Sequence, residues 1–480
     1  MHGDSQEQPK TAWRWWGALL ALFALAHAGY WALGLRFDSR PLIEYIHYLD
    51  PSWLRDHLMQ SLWYLHIQPP LFNAFAGVVL KLGGHDRLFH ACYLAAGFTL
   101  YGCAFLLPVR LGVPRWASLV LATLLMASPA FMVFEHLLIY TLPCAAALAL
   151  ACVLFFDVLR KQSWPAVLGF FACLAFLALT RTSFHLAWLV LVWLAVVAAT
   201  PANRRRVLLA GLAAVLLTAG WYGKNAYLFG EFTACTFAGK NLWIMTAGNM
   251  DPAERARWME EGHLSEVSAQ NRWAELEAFD PGYREVPGHF AGVPMLTETR
   301  QPNGSVNYNH FGYIAQSQVY GEDARYVLWH RPRVYVAAVG MAVYRYFLPA
   351  TWRPLSMENQ ERIAGVTALF DHALLGRIPL HNATVERLGG PPHAVLILAL
   401  LLAPLAGLWL LWRGTMGYAE KCAVAFMVFH LIMVAVLGCA ADFTDGSRYR
   451  FVTNPFALAL LAAAGTRLLR RRTACSSEVS

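Results

Sequence analysis

Charge is what this chain has least of: charged residues fill 14% of its 480 positions, where soluble domains carry about 25%. With hydrophobic residues at 58%, a water-soluble fold is excluded. No CxxC occurs among the nine cysteines, which argues against a zinc knuckle or a redox pair. Cys92, Cys103, Cys144, Cys152, Cys173 and Cys422 lie in apolar runs, leaving Cys235 and Cys439 as the pair able to meet outside them. A disulfide framework is therefore not expected. Neither GxGxxG nor GxxxxGK[ST] is present, so nothing points to a nucleotide-driven pump. Internal repeats and low-complexity tracts are missing too. The net charge of +8 is spread over short loops instead of forming a basic face, so nucleic acid is not an expected partner.

What the chain has in abundance is long apolar runs. Runs of roughly 18 residues or more can cross a hydrocarbon core of about 30 Å. Spans are expected at 13–35, 87–109, 116–132, 142–160, 164–180, 184–200, 207–222, 393–412, 419–438 and 451–469. The fold class is thus an all-α polytopic membrane protein with about ten transmembrane helices. Lys10 and Arg14 precede an apolar stretch containing Ala26-His27-Ala28, which resembles a signal-peptidase site. The stretch runs on to Leu35, so an uncleaved anchor is expected.

Loop charges test this topology. With the N-terminus in the cytoplasm, the inner loops carry Arg110 and Arg115, Arg160 and Lys161, Arg204 to Arg206, Arg413 and Lys421, and Arg470 to Arg472. Each is basic, as the positive-inside rule requires. Both termini are then cytoplasmic, and a bacterial inner membrane is the expected location. The chain divides into an N-terminal bundle over 1–222 with a first outer loop at 36–86, a large extracytoplasmic segment at 223–392, and C-terminal helices with a basic tail over 393–480. The two outer blocks hold most of the Asp and Glu. Two apolar pieces, 70–82 and 333–349, are too short or too interrupted to span and are expected to lie at the interface.

Several polar groups on the outer side invite a chemical reading. The first outer loop holds Asp38, Glu44 and Asp50, followed by His66-Ile67-Gln68-Pro69-Pro70-Leu71. Carboxylates at that depth can meet a lipid-borne substrate, and the two prolines fix the backbone beside His66 and Gln68. Glu135 follows Ser128-Pro129 near membrane depth, where ionisable residues are functional candidates. Arg181 stands against the positive-inside bias, and a phosphate is one partner it could serve. Trp221-Tyr222-Gly223-Lys224-Asn225, then Gly230-Glu231-Phe232 and Gly239-Lys240-Asn241-Leu242-Trp243, read as a cation at a helix end before Gly-rich turns. Such a pattern can cradle phosphate. Asn241, Asn249, Asn303, Asn307 and Asn309 are either sugar-binding groups or turn formers. Arg448-Tyr449-Arg450 precedes the last span and offers either headgroup anchors or substrate contacts.

In their order and sidedness these pieces resemble the GT-C superfamily of membrane glycosyltransferases, which use polyprenyl-phosphate sugars and include protein mannosyltransferases and lipid A aminoarabinose transferases. The matching parts are first-loop carboxylates before a His-x-Pro-Pro-Leu-like element, Ser-Pro at the top of the third span, Trp-x-x-Lys-Asn before Gly-x-Phe and Gly-x-Asn-Leu-Trp, and Arg-Tyr-Arg before the last helix. The resemblance implies a base at Glu44, with Asp50 and Asp38 behind it. It implies donor-phosphate contacts at Arg181, Lys224, Asn225, Arg448 and Arg450, and substrate contacts at His66, Gln68, Glu135 and Asn241. The adjacent Asp-Glu pair common in such loops is missing, and Glu135 stands where the pattern has Arg. An inverting transfer needs a base on the acceptor hydroxyl and positive charge on the departing phosphate. A divalent metal with Asp, Glu and His66 as ligands is compatible, though no spacing demands it. The expected partners are a polyprenyl-phosphate-linked sugar, a lipid, glycan or protein acceptor, and membrane lipids. A secondary transporter would show paired halves and broken midplane helices, and neither is visible. A membrane polymer ligase or an envelope scaffold is the remaining alternative.

Overall fold

The computed structural model describes residues 9–83, 85–161, 163–351, 356–413, 416–442 and 444–477. The side chains of Lys10 and Arg472, two of the expected basic anchors, lie outside them. Among the described residues every element is helical, joined by isolated bridges such as Asp38 with Leu137.

Among the described residues five helices are long and apolar enough to cross a membrane: His85–Arg110, Thr141–Lys161, Pro201–Phe229, Ala394–Trp412 and Tyr418–Ala441. A sixth crossing is broken. Arg115–Met126 and Pro129–Glu135 meet at 62°, because Pro129 has no N–H to continue the ladder. Ser128 caps the second piece, accepting from Phe131 N at 3.3 Å while its hydroxyl donates to Leu125 O at 2.6 Å. The ten-span expectation is thus met only in part. Trp164–Ala178 and Leu186–Ala199 have 15 and 14 residues, too short for a core of about 30 Å at about 1.5 Å per residue. Pro9–Ala32 and Asn454–Ser477 are 24 residues each but are not among the five.

Thr141–Lys161 lies at the centre, packed on His85–Arg110 and Trp164–Ala178. Ala394–Trp412 lies at the rim and buries only Ala403, Gly407 and Leu410. Its exposed Leu398, Leu401, Leu402, Leu405 and Leu408 form an apolar face that water would not tolerate and lipid would.

The two ends of the bundle differ. Arg110 meets Asp157 at 3.3 Å, Arg160 and Arg467 both meet Glu420 at 3.7 Å, and Arg470 donates to Gly112 O at 3.1 Å. Tyr418 OH donates to Ala199 O at 2.8 Å. Loops expected on one side therefore do gather at one end. At the other end sit the first outer loop, the 128–141 turn, the large block after Phe229 and the 442–450 segment.

That block carries its own core around Trp243, Trp258, Tyr320 and Val327. Ala238–Met245 crosses Gly312–His330 so closely that a Cβ on Gly239 would stand 1.7 Å from Ser317 O. Buried Asp323 accepts from Ser265 N at 3.0 Å and from the hydroxyls of Ser265 and Ser268 at 2.6 Å, tying the 265–269 turn to the second helix. Two expected boundaries move. The span expected at 207–222 continues to Phe229, and Gly230 with φ +75° ends it, so Lys224 and Asn225 are helical residues and not turn residues. The piece at 333–349 forms Pro332–Tyr346, which packs on Tyr418–Ala441 and Gly446–Phe451.

Candidate functional site

Arg448 stands on the short helix Gly446–Phe451 that follows the Tyr418–Ala441 span. The helix is seated tightly: a Cβ on Gly446 would lie 2.9 Å from Tyr346 N and 3.2 Å from Ala342 O. Arg448 is buried, yet one Nη binds Asp445 at 2.9 Å, the other donates to Tyr45 OH at 3.0 Å, and the guanidinium lies 5.5 Å from the Tyr140 ring. Its Nε has no partner. Burial works against the charge, but Asp445 and the tyrosines around it hold the group well above its ordinary range. Arg181 approaches from the turn after Trp164–Ala178. Its guanidinium stacks over Tyr449 at 4.1 Å, and its Nη2 is buried with no acceptor. Burial pushes the Tyr449 phenol up to about 12, so it remains a neutral platform.

Arg448, but neither Arg181 nor Tyr449, lines a cavity of about 950 Å³ whose polar lining also includes Tyr45, Arg345, Asp371, His393 and Asp445. Leu137, Ile139, Leu348, Val385 and Pro391 supply apolar wall. Arg272 sits nearby in electrostatic terms, sensing Asp442 and Asp445. It donates to Asn241 Oδ1 at 3.2 Å, lies 4.6 Å over Trp273, and keeps a buried Nε without an acceptor. Buried His47, which faces Arg448 and Arg272, is pushed down to about 3 by burial and by those cations. Arg450 belongs to the frame, donating to Tyr346 O at 2.9 Å.

The first-loop carboxylates separate. Asp38 is clasped by Arg40 through two bonds of 2.9 and 2.7 Å. Asp50 caps Pro51–Asp56, accepting from Ser52 N and Oγ at 2.7 and 2.5 Å, and its other oxygen accepts from Asn303 N at 3.0 Å. Glu44 is exposed; its N–H donates to Arg40 O at 3.0 Å, and its carboxylate, within electrostatic reach of Arg40, makes no hydrogen bond among the described residues. It precedes Tyr45, which lines the cavity, but does not line it itself. Of the three, Glu44 alone has a carboxylate with no hydrogen-bond donor on it.

Other expected contacts assemble elsewhere. His66 Nε2–H donates to Asn309 O at 2.9 Å, so its Nδ1 accepts from Thr236 Oγ1 at 2.8 Å. Burial pushes this imidazole down to about 3. Lys224 donates to Leu65 O at 2.5 Å and stands 3.7 Å over Trp221, while Asn225 donates to Thr233 O at 2.7 Å. Gln68 is buried nearby in sequence with its Nε2 unpaired. None of these four lines the cavity. Glu135 turns into the bundle and pairs with His27, in space that exists because residue 97 is glycine: a Cβ there would lie 1.6 Å from Glu135 Oε1.

Sequence reasoning missed Asp371 and His393, which stand 3.5 Å apart on the cavity wall. It also missed the cationic pair of Lys240 and Arg272. Lys240 is fully buried over Phe237 and Tyr313 at 4.8 and 4.1 Å, donates to Arg272 O, and is held well below its ordinary range by burial. No linear spacing announces either pair, although Lys240 stood inside a motif already singled out. Among the described residues no group of three or more His, Cys, Asp or Glu is gathered to hold a metal ion, and the eight described cysteines, Cys235 and Cys439 included, are free thiols.

No protein-family model and no curated protein matches the chain. Among solved structures it is similar to the crystal structure of ArnT from Cupriavidus metallidurans in the apo state, at 17% identity over 95% of this chain and 78% of that one, with a TM-score of 0.31. At those values the likeness carries no argument, and the site must be read from its own chemistry.

Proposed function

We propose that the protein is a GT-C-type membrane glycosyltransferase that moves a sugar from a polyprenyl-phosphate donor to a lipid, glycan or protein acceptor at the outer face of a bacterial inner membrane. The observation that carries this reading is the surplus of buried guanidinium donors on Arg448, which lines the cavity, and on Arg181 and Arg272, which lie behind its wall. Buried donors without acceptors cost about 1 to 3 kcal/mol each, and an anion with several oxygens relieves that cost. A phosphodiester between an apolar chain and a sugar suits a cavity with one apolar wall and one cationic edge. In this reading Arg181 and Arg448 bind the phosphate, Asn241 orients Arg272, and Glu44 takes the acceptor proton, either directly or through water.

Purified protein without any ion gradient is the test. It is expected to transfer label from one of a panel of polyprenyl-phosphate sugars to an envelope acceptor, and Glu44→Gln should lower turnover by roughly 100-fold while donor binding persists. Solute uptake that needs a gradient, with no transfer, would replace this reading by a transporter. The outer placement is checked at exposed Glu261: a cysteine there should react with a membrane-impermeant reagent before lysis.

A further inference from the structure

We propose that His393, which stands beside Asp371, is the proton donor to the departing phosphate. The inference rests on the sugar-transfer reading above and adds a residue to it. His393 is the residue before the Ala394–Trp412 span, and its backbone is fixed on both sides. It bridges Arg377, Ile378 N donates to Pro392 O at 2.9 Å, and Ala394 N donates to Gly376 O at 2.9 Å. The imidazole is 1% exposed to solvent, lines the cavity, and has Nε2 3.5 Å from Asp371 Oδ2. Its Nδ1 is buried with no partner in the protein, and so is Asp371 Oδ1. Nε2 makes no hydrogen bond either, so both nitrogens of this buried imidazole are open to a ligand in the cavity, with the Asp371 carboxylate beside one of them.

The surroundings say which kind of ligand. The other titratable or charged groups on the cavity wall are Tyr45, Arg345, Asp445 and Arg448, and Arg377 lies behind through its backbone bridge. Arg448, with Asp445 on one nitrogen and its buried Nε unpartnered, gives this wall a donor that an anion can satisfy. A histidine positioned at the departing oxygen is the commonest general acid in such transfers.

The step balances as follows. The acceptor oxygen forms its bond to the anomeric carbon while the bond from that carbon to the phosphate oxygen breaks, and the electron pair stays on the phosphate. His393 Nδ1–H gives its proton to that oxygen, and Glu44 receives the acceptor's proton. Exchange with water then restores both groups. Asp371 acts through His393 and is a positioning residue.

The experiment measures the pH profile of kcat for the purified enzyme with a polyprenyl-phosphate sugar, beside donors whose leaving phosphate is made more acidic by an electron-withdrawing substituent. Wild type should lose activity on the alkaline side as His393 deprotonates. His393→Gln should turn over roughly 100-fold more slowly, lack that alkaline limb, and recover most with the more acidic leaving group. Asp371→Asn should keep the limb but move it to lower pH, which a merely structural role would not do, and it serves if His393→Gln fails to fold. An unchanged alkaline limb in both variants, or loss of an acidic limb instead, would overturn the proposal while leaving sugar transfer intact. A wild-type enzyme that transfers no sugar would overturn both.

Discussion

Two buried polar centres lie at the same end of this molecule, and they are solved differently. Around His66 most donors and acceptors match, with imidazole to Thr236 and Asn309, Asn309 Nδ2 to Tyr64 O at 3.0 Å and Lys224 to Leu65 O, and only neutral amide atoms, Gln68 Nε2 and Asn225 Oδ1, are left over there. Around Arg448, donors exceed acceptors: nitrogen atoms of Arg181, Arg272 and Arg448 are left over, and Arg448 lines a cavity. Native proteins rarely leave buried polar atoms unmatched, and exceptions cluster where something else completes them. The matched centre ties the first loop to the outer block, and the unmatched one is where a ligand belongs. Both centres contain residues that resemble motif positions, so motif membership alone does not tell frame from site.

The largest expected effect breaks the matched side. His66→Ala removes a side chain buried to 0% exposure and strands Thr236 Oγ1 and Asn309 O. The protein should lose about 3 to 5 kcal/mol of stability, read as a lower melting temperature in detergent. Protein that survives should keep its donor affinity. A stable His66→Ala protein without activity would place His66 in the site and erase the distinction.

Next comes the unmatched side. Arg448→Gln removes the cation but keeps a planar polar group, and charge-assisted bonds are worth about 1.5 to 3 kcal/mol. Donor affinity should fall roughly 10- to 150-fold with the melting temperature within a few degrees of wild type. A collapse in stability at unchanged affinity would make Arg448 part of the frame.

The third effect is the response to acid. Burial holds His66 and His47 at about 3 and His310 at about 4, whereas an unfolded imidazole titrates near 6.5. Between those values the unfolded chain binds more protons than the folded one, so stability is full above about pH 6.5 and falls as pH drops. Each histidine adds a slope of up to about 1.4 kcal/mol per pH unit. Melting temperature should therefore decline from pH 6.5 to pH 5, and His66→Gln should make the decline shallower relative to its own starting point. A flat profile would mean these imidazoles already have water or protons.

How much of this was legible depends on what each feature needs. Apolar length and loop charge are local, so the helical class and the gathering of basic loops at one end follow from sequence. Span counts failed where tertiary detail intervenes: the Ser128-Pro129 break and the short helices either side of Arg181 show that an apolar run need not form one full crossing. Arg181 and Arg448 were found because each is a cation in an unusual place. Asp38 and Asp50 looked equivalent to Glu44 on paper, and only the positions of Arg40, Ser52 and Asn303 separate them. Asp371 and His393 were invisible because the turn that pairs 376–378 with 392–394 brings them together, and no periodicity encodes that pairing.

The smallest effect tests the comparison without any substrate. If the Arg181 and Arg448 centre is short of an anion, inorganic pyrophosphate should bind it and stabilise the fold by mass action. At about ten times its dissociation constant a ligand contributes about 1.4 kcal/mol. For a chain of 480 residues that amounts to a rise of about one or two degrees, since larger proteins shift less per kcal/mol. Sulfate at equal ionic strength controls for general salt effects, and added salt should weaken the shift only modestly because the cations are buried. Arg448→Gln should abolish the shift, while Lys224→Met, whose cation is already committed to Leu65 O, should retain it from a lower baseline. If Lys224→Met loses the shift and Arg448→Gln keeps it, the anion binds at the matched centre after all, and the two regions must exchange roles.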